Sequence, residues 1–217
     1  AVKSMESVAK KSGTDATEII GNFGLQDQVA ALRWIRANIY SVFGHGPQLS
    51  IMGQSSGGTS VLALSQTTSV SDGLIWGAIS LSGSPNITMG RSAKFLQDEE
   101  YAEAVGCAYY DIAADPAQQQ MDCLRNVSVS DFIVKMPNSW NTPGLWNLEA
   151  LNNKSVGGLN LPGLVYVDGV MLPHSVHEGM AKGFNSNISV MFGNMGQEAN
   201  LMEAPQPQVE KYNLGQW

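Results

Sequence analysis

Ser55 sits in Gly53-Gln54-Ser55-Ser56-Gly57, a G-x-S-x-G pattern of the kind that can present a serine hydroxyl as a nucleophile. Such a serine attacks the carbonyl carbon of an ester when a base takes its proton. The pattern is short enough to arise by chance, and a serine in a glycine-rich turn can equally be idle.

The elements that must hold it decide between these readings. Leu49, Ile51 and Met52 make a short apolar run suited to a buried strand. Residues 59–64 continue without Gly or Pro, as a buried helix can. Strand, tight glycine turn and helix is the setting of a nucleophile elbow, in which the turn strains the serine backbone and lifts Oγ to the end of the strand. The flanking glycines let the neighbouring chain pass closely.

Composition bounds the partners. The 217 residues suffice for one domain with a core. Hydrophobic residues make up 43% and charged residues only 14%, which fits a globular chain rather than a disordered one. With 19 acidic against 12 basic side chains the net charge is -7, which argues against nucleic acid or an anionic membrane as a main partner. No apolar run approaches the ~20 residues of a membrane span. Residues 1–20 are polar and lysine-containing, unlike a signal peptide.

Cys107 and Cys123 are the two cysteines; one pair fits either a disulfide or two free thiols, and no metal spacing is present. Four N-x-[ST] sequons, at Asn86, Asn126, Asn153 and Asn187, in a chain of low charge point to a secreted or lumenal protein. Asn126, Asn153 and Asn187 are the better glycan candidates, since Asn86 follows the Ser/Gly loop at 82–85, near the expected pocket.

Along the chain, residues 1–20 read as an exposed polar loop. Leu25, Val29, Leu32, Ile35 and Ile39 fall at helical spacing, with Asp27 in the first turn at the positive end of the helix dipole. Residues 43–48 turn into the strand at 49–52, and 73–84 read as a second buried strand ending in a Ser/Gly loop. Residues 91–135 look helical with a break near Asp115-Pro116, 136–164 read as irregular surface chain, and 188–194 as a third strand. Strands alternating with helices predict an α/β fold with a mostly parallel sheet and surrounding helices. The expectation is one incomplete domain over 1–217: a loop at 1–20, the elbow region at 21–90, a helical and irregular insertion at 91–164, and a late strand with its following segment at 165–217.

The order of these segments resembles the type-B carboxylesterases, the cholinesterase-like branch of the α/β-hydrolases. GNFGLQDQVAALRWIRANI (21–39) is similar to the segment before the elbow in that family, and GAISLSGSP (77–85) to the strand after it. VGCAYYD (105–111) with CLRN (123–126) resembles its short disulfide loop, and VDGVMLPHS (167–175) and VMFGNMGQEAN (190–200) its later landmarks. The resemblance implies that Ser55 is the nucleophile, that the Ser56 N–H is one oxyanion donor, that Glu198 is the acid orienting a histidine, and that Cys107 and Cys123 are bridged. Asp168 then marks a structural turn without a catalytic role. No cofactor or metal is implied.

Several positions depart from the family pattern. Gln54 stands where glutamate usually precedes the nucleophile, and Met89 where a tryptophan often lines the acyl pocket, so both are read as pocket residues. Ser56 replaces the usual alanine, FGHG (43–46) replaces the commoner FGGD, and Ala199 replaces the glycine that usually follows the acid. These changes point away from choline esters and towards a general esterase pocket.

In this fold the chain order is Ser, acid, His, yet no histidine follows Glu198 in the sequence. His45 precedes the elbow. His174 and His177 lie where the family has no catalytic histidine and read as surface or cap residues; their spacing of three lacks the further ligands a metal site needs. Nothing before Gly21 resembles the family's Gly-rich oxyanion loop. The expectation is therefore an internal fragment of a longer hydrolase, inactive and unstable alone, that packs with the remaining parts of the same hydrolase or with other chains. The expected activity is hydrolysis of small-molecule carboxylic esters through an acyl-enzyme. The alternatives are a non-catalytic cholinesterase-like adhesion or interaction protein, and a structural protein that keeps the elbow by descent.

Overall fold

The computed structural model describes residues 2–11, 21–44, 48–85, 87–108, 115–136 and 165–196. Its first element, helix α1 (Val2–Lys11), replaces the polar loop expected there, while residues 12–20 of that loop lie outside the described residues. Met5, Val8 and Ala9 have helical spacing, and Lys10 and Lys11 occupy the last turn, where cations suit the negative end of the dipole. Ten residues make a marginal helix alone, so tertiary partners decide. The Ser4 hydroxyl is buried against Gln120. Glu6 pairs with Arg91, and Lys11 reaches Asp115 at 2.7 Å.

Helix α2 (Phe23–Phe43) buries Leu25 and Val29 and packs Leu32 against the core. It starts earlier than its apolar spacing predicts, so Asp27 falls beyond the first turn, which holds no acidic residue. The dipole contribution expected of Asp27 is therefore lost, because the effect fades within one turn. At the other end Gly44 adopts φ 67° and donates its N–H to the Tyr40 carbonyl at 2.9 Å, a left-handed cap that suits glycine.

Strand β1 (Ser50–Gln54) then leads into helix α3 (Ser56–Ser65), the single turn α4 (Thr68–Ser71) and strand β2 (Gly77–Leu81). After the short strand β3 (Thr88–Met89) come helices α5 (Arg91–Ala104), α6 (Pro116–Asn126) and α7 (Val129–Val134). The break expected near Asp115-Pro116 is the start of α6: Asp115 caps it by accepting from the Gln118 N–H at 3.3 Å, and Pro116 occupies the first turn. Strand β4 (Val165–Tyr166), helix α8 (Val176–Ala181) and strand β5 (Ser189–Gly193) complete the described chain. The irregular stretch expected at 136–164 lies almost wholly outside the described residues.

The main sheet has the order β1-β2-β5 with both pairings parallel, and β3 pairs with β4, also parallel. This is the α/β arrangement the alternation of strands and helices predicts. Residues paired across parallel strands share a face. On one face, Ile51 packs beside buried Ala78, and the next row, Gly53 and Ser80, lies under α3. α3 is apolar nearly all round because it is enclosed: Val61, Leu62, Ala63 and Leu64 are all buried. Met171, Leu172 and Val176, from the chain around α8, close the same core.

The opposite face carries the row Met52, Ile79 and Met191. Met52 is 70% exposed and Met191 61%. Among the described residues, β1 pairs on one side only.

Candidate active site

Ser55 is the residue between β1 and α3, with φ 55° and ψ -119°. Positive φ is rare for a residue with a Cβ and persists only where the surroundings over-determine it. Here the Ser55 N–H donates to the Leu81 carbonyl at 2.9 Å, and the Ser55 carbonyl accepts from the Thr59 N–H at 2.9 Å. The side chain is exposed.

Gly53 makes the turn sterically possible. A Cβ there would lie 2.2 Å from the Gly57 carbonyl oxygen, an impossible approach to backbone. Gly57 differs: a Cβ there would meet nothing within 4 Å, so the elbow faces open space on that side.

The hydrogen bond from Thr59 to Ser55 sets the start of the α3 ladder. The N–H groups of Ser56, Gly57 and Gly58 precede it, and first-turn amides of a helix have no partner within the helix. With the positive end of the dipole behind them, such amides favour a nearby anion. A tetrahedral oxyanion formed on Ser55 Oγ is an anion of that kind.

The last row of the main sheet is Gln54, Leu81 and Gly193. Ser55 leaves one end of this row, and the chain towards residue 198 leaves the other, both at the carboxyl ends of parallel strands, where ligands bind in open α/β sheets. A further bond joins the row's middle to its far end: the Ser82 N–H donates to the Gly193 carbonyl at 2.7 Å. Glu198 lies outside the described residues, as do His45, Asn86 and Asn153.

Met89 is half-buried in β3, paired in register with Tyr166. His174 sets its ring edge-on to Phe184 at 5.6 Å. It also stands near the position of a Cβ at Gly179, which would touch Gln66, the C-cap of α3. His174 is therefore at the opposite end of α3 from Ser55. Cys107 and Cys123 form a disulfide with Cα atoms 5.6 Å apart. Asn126 is exposed at the end of α6, and Asn187 is exposed in the turn before β5. A surface cavity of about 370 Å³, lined by Arg33, Arg36, Ala37, Ser69, Asp72 and Leu74, involves no residue of the elbow.

Asn22 escaped the sequence reading. Its side chain donates to the Tyr166 carbonyl at 2.9 Å and accepts from the Tyr166 N–H at 3.0 Å. The resulting contact between the start of α2 and β4 spans residues far apart in sequence, so no local pattern announces it.

The carboxylesterase family profile matches residues 12–213. The chain belongs to the carboxylesterase family. It is 28% identical over 194 residues to an acetylcholinesterase of Leptinotarsa decemlineata, covering 86% of this chain and 27% of that protein. It is 27% identical over 193 residues to the para-nitrobenzyl esterase of Bacillus subtilis (strain 168), covering 87% of this chain and 34% of that protein. Over 63 residues it is 49% identical to a human cocaine esterase, covering 29% of this chain and 11% of that one.

Among solved structures, a thermophilic para-nitrobenzyl esterase superposes with a TM-score of 0.62 at 27% identity, over 85% of this chain and 34% of that chain. A carboxylesterase of Geobacillus stearothermophilus gives 0.60 at 25% identity, over 90% of this chain and 36% of that chain. The fold is therefore that of the α/β-hydrolases. This chain spans about a third of the length of the esterase structures it matches.

Proposed function

We propose that this chain carries the nucleophilic centre of a serine hydrolase acting on small-molecule carboxylic esters. The observation that carries the reading is Ser55 itself: exposed, held at φ 55° between a parallel strand and the first turn of a buried helix. Ser55 Oγ attacks the acyl carbon while its proton passes to a histidine. The carbonyl electrons move onto oxygen, and the Ser56 N–H helps to hold that oxyanion. Collapse expels the alcohol, which takes the proton from the histidine, and water then cleaves the acyl-serine by the same steps in reverse.

Glu198 is the acid that orients this histidine, consistent with its place five residues after β5. The base is a residue other than His174, which stands at the far end of α3. Gln54 and Met89 are pocket residues, and the uncharged Gln54 beside the nucleophile suits neutral esters better than cationic ones. Neither a cofactor nor a metal takes part in this chemistry.

The row of Met52, Ile79 and Met191, whose two methionines are exposed, and the side of β1 that pairs with no strand among the described residues support a second part of the reading. The remaining parts of the same hydrolase, or other chains, cover this face and pair with β1, and residues 1–217 form one incomplete domain. The disulfide and the exposed sequon asparagines Asn126 and Asn187 support a secreted or lumenal glycoprotein. The test of the function is Ser55→Ala in the protein at its natural length. Turnover of a simple phenyl ester should fall by several orders of magnitude with the thermal transition unchanged; retained turnover would refute the assignment.

A further inference from the structure

The backbone of Ser55 is closed into a ring of hydrogen bonds whose other members lie outside the G-x-S-x-G pattern. Leu81 accepts the Ser55 N–H, and Ser55 accepts the Thr59 N–H, each at 2.9 Å. Thr59 is 9% exposed, and its Oγ1 accepts the N–H of Ser84 at 3.0 Å. That bond ties the first turn of α3 to the turn that follows Leu81. One residue earlier, the Gly58 carbonyl accepts from the buried Ser80 hydroxyl at 3.0 Å.

No space separates the two segments. A Cβ on Gly83 would lie 2.4 Å from the Gly58 carbonyl carbon and 2.7 Å from the Thr59 nitrogen. Ser82, inside the same turn, has φ 52°. Two non-glycine residues at positive φ, Ser55 and Ser82, thus flank one clasp, and such conformations endure only under constraint from several sides.

We propose that Thr59 is a positioning residue for the nucleophile. Its hydroxyl holds the 82–84 turn on α3, keeps the Leu81 carbonyl opposite the Ser55 amide, and so fixes the aim of Ser55 Oγ and of the first-turn amides. The inference rests on reading Ser55 as the nucleophile. Ser80 makes the companion contact from the strand side. Thr59 acts through the backbone and does not touch the reacting atoms.

Valine keeps the branched shape of threonine and lacks its acceptor, so Thr59→Val removes the bond to Ser84 while keeping the packing. Misplacing reacting groups by about 1 Å can cost ~10²-fold in rate, so partial loosening should cost about tenfold. The experiment compares wild type, T59V, T59S and S55A at natural length. It measures kcat and KM for a simple phenyl ester and the rate of fluorophosphonate labelling per folded molecule. T59V should lose about tenfold in both kcat and labelling rate with KM within about twofold, and T59S should return close to wild type.

Wild-type kcat and labelling in T59V would overturn the proposal. So would a T59S variant as slow as T59V, since bulk rather than the hydroxyl would then matter. If T59V does not fold, S80A takes its place with the same expectation, and an unimpaired S80A overturns the clasp. Retained turnover in S55A would instead overturn the underlying reading of the nucleophile, whatever T59V does.

Discussion

Asn22 and Asp168 stand 146 positions apart and meet in a 2.8 Å hydrogen bond from Asn22 Nδ2 to Asp168 Oδ2. The other carboxylate oxygen, Oδ1, accepts the N–H groups of Val170 and Met171 at 2.8 Å and of Leu172 at 3.0 Å. The Asp168 carboxylate thus holds the start of α2 to the turn that brings Met171 and Leu172 into the core. Charge-assisted bonds of this kind contribute about 1.5–3 kcal/mol each to a folded state.

Asp168→Ala should therefore lower stability by at least about 2 kcal/mol, and Asn22→Ala by somewhat less. Chemical denaturation gives the stability, and active-site titration gives the rate per folded molecule. The rate per folded molecule should not change in either variant. A lost rate with unchanged stability would give Asp168 a catalytic part that its bonding does not support.

Gly53→Ala tests the elbow's steric requirement. Its Cβ would be forced to within 2.2 Å of the Gly57 carbonyl oxygen, which is backbone and can move only by displacing α3. Overpacking against less rigid neighbours already costs about 1–3 kcal/mol. Gly53→Ala should exceed that range in thermal or denaturant unfolding and should slow labelling of Ser55. A variant of wild-type stability would mean that α3 sits farther from β1 than described.

Tyr166 gives an alkaline signature. Burial, followed by the negative charge of Asp168, pushes its phenol up to about 12. An unfolded tyrosine titrates near ~10. Between these values the unfolded chain sheds a proton that the folded chain retains, which favours unfolding. The protonated phenol's contribution is fully present below about pH 10 and is lost as pH rises towards 12. Urea midpoints from pH 9 to 12 should fall more steeply for wild type than for Tyr166→Phe. Parallel profiles would show that the phenol is solvated.

The disulfide closes a loop of sequence separation 16. Chain-entropy estimates give ~3 kcal/mol for a loop of this size. The doubly substituted Cys107→Ala, Cys123→Ala variant should lose stability of that order and lose its sensitivity to reducing agent. A non-reduced peptide map of the natural protein should show the 107–123 bridge.

The elbow was legible because its determinants are local. An apolar strand, a glycine that must carry no Cβ and an uninterrupted apolar helix fall within 16 residues, 49–64. The parallel sheet followed from the same alternation, and the disulfide followed from family resemblance rather than from spacing. Helix α1 was hidden because its stabilising contacts, Ser4 with Gln120 and Glu6 with Arg91, lie far along the chain. β3 and β4 are two residues each, too short to show a period. In the sequence Thr59 is indistinguishable from any other residue of a buried helix, because the Ser84 amide it accepts comes from a different turn.

The central claim is that Ser55 attacks the ester, and its most direct measurement is the site of covalent capture. The protein at its natural length is treated with a fluorophosphonate, digested, and the modified peptide sequenced by mass spectrometry. The predicted result is one stoichiometric adduct on Ser55 that forms in step with loss of esterase activity and is absent from Ser55→Ala. An adduct on another residue, or full loss of activity with Ser55 unmodified, would contradict the account.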